Sequence, residues 1–285
     1  MRRTIRVLRG PAAGRIREEV RMFQLLFYLL VSFLASVAGA ICGIGGGVII
    51  KPVLDLCGLA SVSTISFLSG LTVLSMSLYS VARNAASGGG QIDVKTGTPL
   101  AVGAAAGGIV GKQLFSLVKG LFENPNTVGA VQAACLAVIT LLTLLYTIFK
   151  SRITPHRVEG LGSCLCIGLL LGIMSSFLGI GGGPINLVVL FFFFGMDTKT
   201  AAQNSLYIIL FSQAANLATT LLTHSVPEFE WAALILMVCG GIGGGMAGRL
   251  VNKRISGSAV DKLFMALMAV IILISVYNTV RYSAG

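Results

Sequence analysis

The sequence predicts an all-α, polytopic membrane protein. About eight transmembrane helices form two repeats, each with a glycine-broken or re-entrant first element. Three observations predict it. The chain is 55% hydrophobic and 11% charged, with a mean hydropathy of +0.90, whereas soluble domains carry roughly 25% charged residues. Several apolar runs reach the ~20 residues that a helix needs to cross a bilayer. Finally, Ile44-Gly45-Gly46-Gly47 returns 136 positions later as Ile180-Gly181-Gly182-Gly183, each time after a long apolar run. Each glycine costs about 1 kcal/mol against alanine in a helix, so both triplets predict a break.

The elements follow in order. A basic segment, 1–22, carries Arg2, Arg3, Arg6, Arg9, Arg15, Arg17 and Arg21 against Glu18 and Glu19. Directly ahead of an apolar span, it reads as the positive-inside signal with attraction to anionic lipid heads. That places the N-terminus in the cytoplasm and argues against nucleic acid as the partner of the +11 net charge. No small-x-small cleavage site follows a short apolar core, so the segment reads as retained. The first repeat, 23–149, has a run at 23–42, the first break, a short piece at 48–57, and runs at 63–82, 97–118 and 128–149. A polar linker, 150–160, contains Lys150, Arg152, His156 and Arg157. The second repeat, 161–281, has a run at 161–179, the second break, a short piece at 184–195, and runs at 200–222, 231–250 and 260–280.

The likeness of the halves goes beyond hydropathy. Thr64 answers Thr200 and Ser69 answers Ser205 at the offset of 136; Asp93 answers Glu230, and Gly107-Gly108 with Gly111-Lys112 answer Gly244-Gly245 with Gly248-Arg249, at 137. Gly103, Gly107 and Gly111, and again Gly240, Gly244 and Gly248, recur every fourth residue, which on a helix builds a smooth face for close packing. The short pieces cannot cross ~30 Å of hydrocarbon at 1.5 Å per residue; each turns back or extends a tilted, broken helix. The N-terminal arginines and the Lys150–Arg157 joint both favour the cytoplasm, and no simple count of crossings satisfies both together with the other loop charges.

Where the chain can do chemistry follows from the breaks. A helix N-terminus presents unpaired N–H groups and about half a positive charge, and Pro184 suits a first helical position. Two such ends near mid-membrane make an anion cradle from Gly45, Gly46, Gly47, Gly181, Gly182 and Gly183, with Asn186 on the second short helix. The helices after the breaks add Ser63, Thr64, Ser66 and Ser69, then Thr200, Gln203, Asn204 and Ser205, with Gln213 and Asn216 further along; such side chains bind substrate or glue helices together, and the repeat-matched pairs Thr64 with Thr200 and Ser69 with Ser205 favour binding. Lys51 sits four residues before Asp55, close enough to pair, and Arg83 stands at the foot of a span. Lys112 and Arg249 read as snorkelling cations. The acids lie outside or at the rims of the runs. Catalytic constellations are lacking: the two histidines, His156 and His224, fall in loops, and no phosphate-loop, zinc or nucleophile-elbow motif occurs. The six cysteines read as buried, reduced side chains. The chain is therefore not read as an enzyme, and neither a metal nor a cofactor is called for.

These residues resemble the sulfite exporter TauE/SafE family. The likeness covers roughly residues 24–281, through Gly43-Ile44-Gly45-Gly46-Gly47 and Gly179-Ile180-Gly181-Gly182-Gly183, Pro52, Ala202-Gln203-Asn204-Ser205, Gln91-Ile92-Asp93-Val94 and Gly111-Lys112-Gln113-Leu114. The resemblance implies a multi-pass carrier of the cytoplasmic membrane for small sulfur-containing anions: sulfite, organosulfonates or thiosulfate. Lys51 departs from the pattern, standing where the family usually has an apolar residue. The expected partners are a small anion, the lipid bilayer and, for a coupled carrier, a proton or sodium ion. Alternating access between the repeats is the expected mechanism. An anion channel, or a membrane-embedded sulfur-handling protein using Cys42 or Cys57, is the alternative.

Overall fold

The computed structural model describes residues 11–88, 92–122, 125–180 and 182–284. Arg2, Arg3, Arg6, Arg9, Gln91 and Gly181 lie outside the described residues. The helices are α1 (Pro11–Cys42), α2 (Gly47–Cys57), α3 (Val62–Ala86), α4 (Val94–Leu121), α5 (Pro125–Phe149), α6 (Leu161–Leu178), α7 (Pro184–Phe194), α8 (Thr198–Leu222), α9 (Trp231–Arg254) and α10 (Gly257–Ala284). Eight of them are long and apolar enough to cross a membrane; α2 and α7, with 11 residues each, are not. No strand occurs among the described residues.

Local chemistry sets the helix ends. Ser61 caps α3 by accepting from the Thr64 N–H, Asp93 caps α4 through Lys95 and Thr96, and Asp197 caps α8 through Lys199 and Thr200. Gly58, Gly179 and Gly195 close α2, α6 and α7 in the left-handed region, where a side chain would be strained. Pro184 opens α7, where a missing N–H does no harm.

Two ion pairs mark the ends of the bundle. Arg21 and Glu230 meet at 2.5 Å where α1 and α9 begin; Lys150 and Asp261 meet at 2.7 Å where α5 ends and α10 begins. α1 and α9 run together away from the Glu230 end. Gly240 lies against Leu29 and Ser32, Gly244 against Phe33 and Ser36, and Gly248 against Val37 and Ala40. Near the far end Asn252 Nδ2 donates to the Ile41 carbonyl at 2.5 Å. α4 and α6 pair in the same way, running towards the Glu230 end, with Gly103, Gly107 and Gly111 against Leu165, Leu169 and Ile173, and Gly168 and Gly172 against Leu100 and Ala104. A Cβ at any of these glycines would strike neighbouring backbone or side chain, so the seams depend on its absence. Both seams join an early helix to a late one.

The short helices complete two hairpins of opposite direction. α2 returns to the Glu230 end, where Gly58 meets Arg281, and α7 returns to the Lys150 end, where Gly195 meets Pro155 and Arg157. Their tips meet inside the bundle: Gly47 packs on the Ile180 carbonyl and Gly183 on Val48. The first break also lies against α8, through Gly43 and Ala202, and the second against α3, through Gly179 and Ser66. Ile44, Val48 and Ile180 are buried in the main apolar cluster. The N-terminal arginine side (Arg21) and the Lys150–Arg157 joint lie at opposite ends, so only one of these basic clusters can face the cytoplasm.

Two predictions follow from the packing. Gly107→Leu or Gly244→Leu should cost at least the roughly 1–3 kcal/mol of an overpacked core, lowering the melting temperature and yield of detergent-purified protein. Gly162→Ala, facing open space on α6, should leave melting unchanged or raise it. Burial tends to raise the Asp197 carboxyl, but hydrogen bonds from Thr200 Oγ1 and from the Thr200 and Lys199 N–H groups outweigh it and hold the pKa below the usual carboxylate range. A lowered pKa stabilises the fold above the unfolded value of about 4 and loses that contribution as pH falls through the folded value. Asp197→Ala should therefore cost about 1 kcal/mol near neutral pH and progressively less in acid, read by melting curves across pH.

Candidate functional site

α3 and α8 form a wedge. Towards the Lys150 end they are in contact, with Asn84 Nδ2 donating to Gln203 Oε1 at 3.4 Å. Towards the Glu230 end they part, and the space between them is a cavity of about 320 Å³. Ser63, Ser66 and Gly70 line it from α3, Lys112 and Lys119 from α4, Gln132 from α5, Ser176 from α6, and Gln213 and Asn216 from α8. Gly179, the first residue of the second break, also lines it, and Ser225, Val226 and Pro227 line it from the loop before α9. A volume of this order suits a small molecule rather than a macromolecule.

The wall is polar beyond its own needs. Ser66 Oγ, Ser176 Oγ, Gln132 Oε1, Gln213 Nε2 and Asn216 Oδ1 are buried atoms without a hydrogen-bond partner. Such atoms are uncommon in native proteins and call for an explanation; a solute in the cavity supplies one. Gln132 is oriented by donating from Nε2 to the Phe177 carbonyl at 2.6 Å. Lys112 lies half-buried with its Nζ 6.0 Å from the centre of the Phe115 ring, and Lys119 Nζ donates to Ser63 Oγ at 3.4 Å. Among the described residues two cations and no carboxylate line the space, so their field favours a negative solute.

The residues singled out in the sequence fall into three groups. Some lie at the breaks. Gly45, Gly46 and Gly47 are buried in the first. Gly182 abuts Ile209 and Asn186 in the second, and Gly183 abuts Val48 and Ile180. Ser69 Oγ donates to the carbonyls of Ser66 and Gly179, tying α3 to the second break. Asn186 and Ser205 are buried, each with a side-chain oxygen lacking a partner. A second group holds helix ends together: Thr64 Oγ1 donates to the Glu228 carbonyl, Thr200 Oγ1 to Asp197 Oδ2, and Asn204 Oδ1 accepts from the Asp93 N–H. Gln203 belongs with them through Asn84. The third group is charged. Arg83 is exposed at the end of α3. Lys51 and Asp55 form an ion pair at 3.1 Å with side chains 4% and 7% exposed, so Asp55 is buried rather than at a rim. The cavity wall itself takes Gly179 together with Ser63, Ser66, Gln213 and Asn216 of the helices after the breaks.

Sequence reading named Ser63, Ser66, Gln213, Asn216 and Gly179 of that wall and missed the rest. Lys112, expected to snorkel, faces the cavity from mid-helix. Gln132 and Ser176 lie inside long apolar runs, and a polar side chain in such a run was the available signal. Arg249 does sit at a helix end, but it donates to the carbonyls of Ser80 and Arg83 and to Ser87 Oγ, closing the C-terminus of α3.

Comparison with known proteins agrees with this architecture. Residues 28–275 match the family model described as sulfite exporter TauE/SafE. A relative in Bacillus subtilis (strain 168), named "Probable membrane transporter protein YunE", is 21% identical over 277 residues, covering 86% of this chain and 93% of its own length. No solved structure matches the chain. With eight helices fit to span a membrane and a family match along most of its length, the chain is a multi-pass membrane transporter of the sulfite exporter TauE/SafE family.

Proposed function

We propose that the protein carries small sulfur-containing anions, such as sulfite, thiosulfate or an organosulfonate, across the cytoplasmic membrane by alternating access, without enzymatic activity. One observation carries the reading: a solute-sized cavity beside a glycine break whose wall, among the described residues, holds five unpartnered polar atoms, two lysines and no carboxylate. The hydroxyls of Ser66 and Ser176 and the Gln213 amide donate to the anion's oxygens, and Lys112 and Lys119 balance its charge. The buried glycine turns hold Gly179 at the inner wall.

The two halves act as inverted repeats, the common plan of broken-helix transporters. Support comes from direction: α1, α3 and α5 run away from the Glu230 end, and α6, α8 and α10 run towards it. The wedge is then one of two mirror-related states. At the offset of 137, Lys112 answers Arg249. Lys112 faces the open side, while Arg249 clamps the closed side onto α3. In the other state Arg249 lets go and lines a cavity with Ser77, Ser80 and Asn84, which are now buried, and Lys112 closes on the end of α8. The arginines before the first span put the Glu230 end, and so the open cavity, in the cytoplasm; the first helix usually sets orientation. A cavity loaded from the cytoplasm suits export.

In proteoliposomes, labelled sulfite, thiosulfate or sulfoacetate should exchange and saturate, as a channel would not. Lys112→Met and Gln213→Leu should each cut transport efficiency about tenfold or more, the loss of one charge-assisted bond to a buried anion. Unchanged flux in both variants removes the cavity as the site, and loss of activity on replacing Cys42 and Cys57 by serine would favour the cysteine-dependent alternative. Arg249→Met should slow exchange while enlarging labelling of a cysteine placed at Ser80, because the clamp is gone. For orientation, a membrane-impermeant thiol reagent on intact cells, in a background without the six native cysteines, should label Ser256→Cys and spare Ser225→Cys; the reverse pattern places the Lys150 end inside.

A further inference from the structure

The ion pair in α2 has no part in the mechanism above, and packing alone does not call for it. A buried pair exchanged for apolar side chains of similar size is often neutral or stabilising. The pair does, however, stand between two spaces. Asp55 lines a separate opening at the Glu230 end, with Tyr277, Arg281 and Tyr282 of α10. Lys51 faces the other way: its Cε lies 3.8 Å from where a Cβ on Gly179 would stand. Gly179 lines the anion cavity. The carboxylate therefore meets a space open at the Glu230 end, and the Lys51 stem backs the cavity wall at Gly179 and Ser66 while its ammonium holds Asp55.

We propose that Asp55 is a proton-binding site linked to the anion site. When its carboxylate takes one proton from water in the opening, Lys51 stays an ammonium but loses its counter-charge, and an anion beside Gly179 replaces it. No heavy-atom bond forms or breaks, and the proton leaves by the same carboxylate when the anion goes. The inference rests on the cavity being an anion site. Linkage is reciprocal: protonation raises anion affinity by the factor by which the anion raises proton affinity, typically about 5- to 150-fold. Anion affinity then rises as pH falls through the titration of Asp55.

The other titratable or charged groups around the pair are named in the structure. From α10 come Tyr277, Tyr282 and Arg281, whose guanidinium donates to the Asp55 and Leu56 carbonyls. Cys57 lies on α2 itself, α1 contributes Tyr28 to the apolar cluster around Ile50 and Leu54, and α3 and α5 bring only Ser61, Val62 and Asn126 to the opening besides the loop residue Ala60. Among the described residues Asp55 is the one carboxylate of this set, and a tyrosine or thiol ordinarily titrates at higher pH.

Calorimetry of the purified full chain with thiosulfate and with sulfoacetate, in two buffers of different ionisation enthalpy, counts protons taken up per anion bound. The parent should take up a fraction of a proton per anion, peaking between the Asp55 titrations of the free and the anion-bound protein at about 0.4 to 0.85 for a 5- to 150-fold coupling and vanishing well above or below them. Asp55→Asn should take up none and bind with an affinity independent of pH. The neutral pair Lys51→Met with Asp55→Asn avoids a lone buried charge; it should fold, take up no proton and bind more weakly than the parent in acid. Parent-level proton uptake in either variant, or none in the parent, overturns the linkage. Anion binding that depends on Lys112 but moves no proton rejects the linkage and leaves the cavity reading standing. Failure of both anions to bind the parent at any pH removes both.

Discussion

A backbone that leaves the helical pattern inside a membrane survives only if the protein itself encloses it. Here two interruptions enclose each other. Gly47 rests on the Ile180 carbonyl, Gly183 on Val48, Gly43 on Ala202 and Gly179 against Ser66. Each contact needs a residue without a side chain, and Gly43, Gly179 and Gly183 also adopt positive φ values of 76°, 66° and 121°, which L side chains rarely tolerate. The glycines thus act twice, first as turn formers and then as spacers that let two hairpin tips share one interior. The cavity exists because the second tip stops at Gly179 instead of filling the wedge.

Around that centre the bundle is alike in plan and unlike in state. α3 and α8 touch at one end through Asn84 and Gln203 and are parted at the other by the cavity. Polar side chains occur at both ends of the wedge, so composition does not separate the open side from the closed one. What separates them is where two corresponding cations go: Arg249 onto the carbonyls that end α3, and Lys112 to a cavity wall. A helix C-terminus attracts a cation because its last carbonyls carry partial negative charge. Docking there and facing a cavity are mutually exclusive for one side chain.

Much of the fold was legible because the bilayer imposes length. Apart from α1, which starts at Pro11 rather than at 23, each long run lies within a few residues of its helix, and the short pieces at 48–57 and 184–195 became α2 and α7. The glycine faces were legible as well, since spacing by four is a local property. Their partners were not: that Gly107 meets Leu169 while Gly244 meets Phe33 depends on helices far apart in sequence. The site was legible in part. Glycine repetition led to the breaks; Thr64 and Thr200 stand in first turns capped by Ser61 and Asp197, three residues before them. The cavity wall is built from five helices with one to three polar residues each; Lys112, Ser116 and Lys119 share a face of α4, and Gln213, Asn216 and Thr220 a face of α8, but which faces meet depends on packing between distant helices. Asp55 read as a rim residue because α2 is short and ends near a charge-tolerant surface; its burial comes from α10 folding over it.

The seams also set a schedule for the ribosome. The smooth face of α9 fits α1, but about 190 residues separate the end of α1 from the start of α9, roughly 10–40 s of synthesis. During that interval α1 sits in lipid beside helices that are not its final partners. A nascent chain cut short anywhere before α9 leaves the first hairpin without its long neighbour, so truncated products are ready substrates for membrane proteases, and the two halves are poor candidates for expression as separate fragments.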